Sequence, residues 1–186
     1  MSVPLAGLAA TALRLGQPPA AGPGLPLVAD VWTDGDLGFV LLLHRRGDGF
    51  LAEELYCSVR GEGGEWDRPD HLGGSVLGLE VTDPSAVADA LAGVPMAVVT
   101  ASESLVYTGR GEEAEPVRVW ALLVGGDADA VEVERFAPGA PARSVRQAPG
   151  PLVLVVLLPG ERARVRALRR GSPCPGEPLE FRGPQR

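Results

Sequence analysis

Leu37-Gly38-Phe39-Val40-Leu41-Leu42-Leu43-His44-Arg45-Arg46-Gly47-Asp48-Gly49-Phe50-Leu51-Ala52-Glu53-Glu54-Leu55-Tyr56-Cys57-Ser58-Val59-Arg60 is the stretch on which the fold turns. Two apolar runs of strand length flank a short polar, glycine-containing break. Each run is too short for an ordinary helix and rich in aromatic and aliphatic residues, which favours strands. Asp-Gly between such runs signals a hairpin, because a type I′ turn needs positive φ at both central positions. With Asp48 and Gly49 in those positions, Val40 faces Cys57, Leu42 faces Leu55 and His44 faces Glu53. A longer Gly47–Gly49 loop would shift that register.

Working outward, Leu27–Trp32 reads as a strand joined to this hairpin through Asp34-Gly35-Asp36. Upstream, Leu5, Leu8, Ala9, Ala12 and Leu13 fall on one face of a helix, with Ser2 as its cap and Gly16 at its end. So short a helix needs a surface to dock on, in this chain or in a partner. Residues 17–24, rich in Pro and Gly, read as an extended linker.

Downstream, Gly61–Gly74 reads as a polar loop and Val76–Val81 as a strand. Asp83-Pro84-Ser85 opens a short helix spanning 84–92, which Gly93 closes. Met96–Thr100 and Leu105–Thr108 read as two strands around a polar turn. From Val117 on, apolar runs recur at 117–124, 131–136, 142–147, 152–158, 163–168 and 179–182. Gly, Pro or Asp separates them, the rhythm of an antiparallel sandwich.

The predicted fold is therefore mainly β, an antiparallel β-sandwich with an N-terminal helix and one short internal helix; α+β is the alternative. Three regions are expected: 1–25 (helix and linker), 26–115 (β-rich with the internal helix) and 116–182 (sandwich strands packed with the preceding region).

The chain has 186 residues, 45% of them hydrophobic, which is enough to bury a core. No apolar run approaches the roughly 18–20 residues of a membrane helix. No basic residue precedes Arg14, so the N-terminus makes a poor secretory signal and residence in the cytoplasm is expected. Lys, Ile and Asn are absent, which points to a GC-rich bacterial genome before any selection on function. The net charge of −7 argues against nucleic acid and anionic membranes as partners. The charge is unevenly spread: residues 1–142 hold 8 Arg against 21 acids, whereas 143–186 hold 9 Arg against 3.

Phe39-Val40-Leu41-Leu42-Leu43, Tyr56-Cys57, and Val153–Pro159 followed by Ala163–Leu168 resemble uncharacterised actinobacterial proteins of this size. The resemblance is one of texture and implies no activity.

Four sets of residues carry candidate chemistry. His44 with Glu53 would make an imidazole–carboxylate pair of the kind a general base needs, or an ordinary cross-strand pair. Trp66 and His71, in the glycine-rich loop, could line a cleft beside them. His44, Cys57, Asp70 and His71 lack the close spacing of a zinc module, and no metal or cofactor is expected. Arg162, Arg164 and Arg166 alternate along one face of a strand, suited to an acidic protein partner, to self-association, or to nearby glutamates. No catalytic set is legible. The expected function is a non-catalytic protein-interaction module, with a small-molecule binder or enzyme using His44/Glu53 as the alternative.

Overall fold

A computed structural model of the chain describes residues 5–20, 24, 26–108, 113–137, 141–148 and 150–185. Strands account for 53% of it and helices for 11%, which places the protein in the mainly β class. All three of its sheets are antiparallel. No helix among the described residues is long and apolar enough to cross a membrane.

The chain forms two compact units, Met1–Glu80 with Val106–Ala114, and Val81–Leu105 with Glu115–Arg186. The internal helix and the strand after it therefore group with the late strands.

In the first unit, helix α1 (Leu5–Leu15) precedes a four-stranded sheet: β1 (Leu27–Asp34), β2 (Leu37–Arg45), β3 (Leu51–Val59) and β4 (Asp70–Val76), in that order across the sheet. Helix α1 docks on its own sheet. Ala9, Ala12 and Leu13 are buried against Val28, Val31, Val40, Leu42 and Tyr56. Burial of Leu13 alone contributes about 2 kcal/mol, which supports a helix too short to stand by itself. Gly38 permits the close approach, since a Cβ there would lie 2.5 Å from Leu13 Cδ2 and 3.0 Å from the Trp66 ring. The proposed cap, Ser2, and part of the proposed linker lie outside the described residues. Gly16, at φ +66, ends the helix as its position suggests. Both faces of β2 are buried, which explains an apolar run without alternation.

Two expectations fail here. Gly61–Gly74 is not one loop: a hydrogen-bonded turn at 61–64 leads to β4, which begins at Asp70. The strand expected at 76–81 instead ends at Val76. Gly73-Gly74 argued against a strand by composition, yet both glycines sit inside β4: Gly73 takes φ +148 with open space around it, and Gly74 leaves room for the Glu54 carboxylate.

In the second unit, α2 (Pro84–Leu91) is capped by Asp83, whose carboxylate accepts from the Ser85 N–H at 2.9 Å. Ala92, not Gly93, takes the left-handed cap position at φ 47, and Gly93 follows at φ +89. One sheet has the order β5 (Met96–Val106), β6 (Glu115–Val124), β9 (Leu152–Leu157). The other places β10 (Arg162–Arg169) between β7 (Ala130–Phe136) on one side and β11 (Ser172–Pro173) with β12 (Leu179–Arg182) on the other. The edge strand β8 (Pro141–Gln147) lies outside β7.

The two sheets share one core. Trp120, Leu122 and Val155 from the first meet Val133, Val165 and Phe181 from the second. The Trp120 and Phe181 ring centroids stand 4.9 Å apart. This is the expected sandwich. Strand β5 is continuous, not two strands around a turn. Its Ser102-Glu103-Ser104 centre is polar because an edge strand can remain solvated there.

Candidate functional site

The β2–β3 loop decides what His44 meets. The Arg46 N–H donates to the Phe50 carbonyl and the Gly49 N–H to the Arg46 carbonyl, both at 2.9 Å. Gly49 holds φ +88. The loop therefore comprises three residues, Gly47–Gly49, and only its last needs the left-handed region. One residue added to the loop moves every β3 side chain to the other face relative to β2. His44 lies opposite Ala52, Leu42 opposite Glu54 and Leu43 opposite Glu53.

The His44/Glu53 pair is therefore not formed. Glu53 faces away from His44, is 6% exposed, and accepts a hydrogen bond from the Ser75 hydroxyl at 3.3 Å. Glu54 takes its place. It stands diagonally across from His44 on the same face, with His44 Nε2 2.9 Å from its Oε1.

The second oxygen of Glu54 meets His71 Nε2 at 2.5 Å. A bulge in β4 brings His71 there: Leu55 pairs with Gly73 but Tyr56 with His71, which leaves Leu72 as the extra residue. The His71 ring lies 5.1 Å from that of Tyr56. Gly74 sits opposite Glu54, where a Cβ would collide with the Glu53 carbonyl and the Glu54 carboxylate. Glycine is required at that point for the carboxylate to occupy its position.

Both histidines of the chain thus converge on one carboxylate, one from β2 and one from β4. An ionised carboxylate only accepts hydrogen bonds, so each imidazole donates to it from Nε2. Burial, and then the Glu54 charge, push the Tyr56 hydroxyl above its ordinary value. The arrangement fastens three adjacent strands and orients both rings.

It does not open onto a described cavity. The cavities of about 560, 490 and 110 Å³ among the described residues are lined by other side chains, all in the second unit. No group of three or more His, Cys, Asp or Glu among the described residues is arranged to hold a metal ion. Trp66 does not join His71 in a cleft: it packs with the α1 cluster, and the Arg60 guanidinium lies 4.4 Å above its ring. Cys57 and Cys174 are free thiols. Burial, followed by the charge of Asp70, pushes the Cys57 thiol up to about 11.

The arginine row divides in two. Arg164 lies between two acids, with Nη2 3.1 Å from Glu180 Oε1 and Nη1 3.8 Å from Glu134 Oε2. Arg166 stands opposite Glu132, which also receives Arg143. That part of the face is neutralised within the sheet. Arg162 differs, with Phe136 opposite it on β7 and Arg182 opposite it on β12.

The class these features define is a mainly β protein with one antiparallel sandwich unit and one helix-backed sheet. Comparison with protein-family models, with curated proteins and with solved structures finds no match.

Sequence reasoning missed Glu54 and Arg182. The Gly47-Asp48-Gly49 spacing held the signal for the first. The second needed strand pairing.

Proposed function

We propose that the protein is a non-catalytic binding module that associates by extending its three-stranded sheet at β5, with a second copy as the partner. The observation that carries this reading is the edge itself. Strand β5 is eleven residues long and unpaired on its outer side among the described residues. Val98 (47%), Leu105 (71%) and the adjacent Tyr107 (68%) are exposed along it. Monomeric proteins guard such edges with Pro, cationic side chains or bulges. Here the strand holds no Pro and no Arg. Its one charge, Glu103, is engaged by Nε and Nη2 of Arg118 at 3.0 and 2.6 Å.

Other surfaces suit a partner less well. The apolar face of α1 is covered by its own sheet, and Arg164 and Arg166 face glutamates of their own sheet. An antiparallel pairing of two β5 strands about Ala101 would set Met96 against Val106, Ala97 against Leu105 and Val98 against Ser104. Glu103 would meet Val99, so no like charges would be opposed. Among the described cavities, none is lined by His44 or Glu54.

Light scattering across a concentration series tests the reading. A dimer is expected for the parent chain, and a monomer with an unchanged melting temperature for the Val98→Lys, Leu105→Lys variant. A parent chain that stays monomeric at every soluble concentration would remove the proposal.

A further inference from the structure

On the outer face of the second unit's larger sheet, Arg162 and Arg182 are direct partners across β10 and β12. Directly opposed side chains leave their Cβ atoms about 5 Å apart, and two like charges so placed repel. Neither guanidinium has an ion-pair partner among the described residues. The nearest acid on β12, Glu180, is committed to Arg164.

The contrast lies within a single strand. Moving along β10, Arg166 and Arg164 stand opposite Glu132 and Glu134, whereas Arg162 stands opposite Phe136. Phe136 is one of the large apolar side chains left exposed, at 38%. These residues line a cavity of about 490 Å³ together with Gly160 and the Arg164–Glu180 pair, a volume in the range of small-ligand sites. Residues 143–186 also supply a local excess of six positive charges in a chain that is otherwise acidic.

We infer that the Phe136–Arg162–Arg182 end of this sheet is a binding site for a small aromatic phosphate monoester. Two arginines paired across neighbouring strands and lining one cavity offer planar donor forks that match phosphate oxygens, and a dianion would offset their repulsion. The exposed Phe136 ring supplies a face or edge for an aromatic group attached to the phosphate. The inference is independent of strand pairing at β5, which involves the other sheet.

Phenyl phosphate, inorganic phosphate and phenylacetate are the probes, titrated into the isotopically labelled full-length chain and followed by NMR. Phenyl phosphate is expected to shift the amides around Arg162 and Arg182 saturably and to bind more tightly than inorganic phosphate. Either Arg162→Gln or Arg182→Gln should weaken it roughly tenfold, the loss of one charge-assisted contact. Phe136→Ala should reduce phenyl phosphate to the affinity of inorganic phosphate. Arg143→Gln, on the same face but paired with Glu132, should change little. Binding should strengthen as pH rises through about 6, where the monoester becomes a dianion. Absence of saturable shifts in the parent chain would overturn the site. Equal binding of phenylacetate would overturn the phosphate assignment, and equal binding of inorganic phosphate the aromatic one.

Discussion

His44 and Glu54, on neighbouring strands, are joined at 2.9 Å through Nε2 and Oε1 because the intervening loop closes between Arg46 and Phe50. The same carboxylate reaches His71 on β4 with its other oxygen. Glu54 thus links this edge strand to β3 and β2 at once.

Replacing Glu54 by Gln should therefore loosen β4 more than any other part of the sheet. Both contacts are part-exposed, so the expected cost is about 1 kcal/mol in urea unfolding. Amide exchange should quicken first along Asp70–Val76. If exchange there stays at the parent rate, the carboxylate does not fasten the strand.

Gly74→Ala should cost more, about 2–3 kcal/mol, because the new methyl collides with backbone as well as with the Glu54 carboxylate. Gly47→Ala is the control, since nothing lies within 4 Å of its added Cβ. Equal melting temperatures for the two variants would show that β4 yields without cost.

The three-residue loop makes a sharper claim about the neighbouring glycine. At φ +88, Gly49 should lose about 1 kcal/mol on replacement by Ala. Gly47, which shows no positive φ, should tolerate the change. A two-residue Asp48–Gly49 turn would instead place the positive-φ demand on both Asp48 and Gly49, so Asp48→Gly would then stabilise the hairpin.

Alkaline pH should weaken the fold through Cys57. Its thiol is held protonated up to about 11 against an ordinary value of 9.0. Between these values the unfolded chain releases a proton that the folded chain keeps. The stabilisation is whole below pH 9 and falls as pH rises, by on the order of 2–3 kcal/mol at the limit. Tyr56, shifted in the same direction, adds to the loss above about pH 10. Urea unfolding at pH 8 and pH 10.5 should show the drop in the parent chain and a smaller one in Cys57→Ala. Native protein should react with thiol reagents at Cys174 first.

Much of the architecture was legible in the residues because it rests on local pattern. The α1 spacing, the Asp83-Pro84-Ser85 start of α2 and the apolar runs of β6, β7, β9 and β10 each carry their own periodicity. Strand β4 was hidden because Gly73-Gly74 reads as loop when the β3 side chains opposite are not known. Strand β5 reads as two strands because Ser102-Glu103-Ser104 resembles a turn, although an edge strand tolerates polar residues on both faces.

The candidate sites were less legible for a physical reason: each depends on pairing across strands. By itself, the sequence determined that this protein is mainly β, that its charge is segregated, and that a hairpin turns near Asp48-Gly49. Periodicity and turn chemistry act over a few residues and need no partner. Only the tertiary structure decided that His44 meets Glu54 and not Glu53, and that Arg162 faces Arg182 while Arg164 faces acids. A strand's side chains alternate with period two, so a single residue of loop length reverses which of them meet.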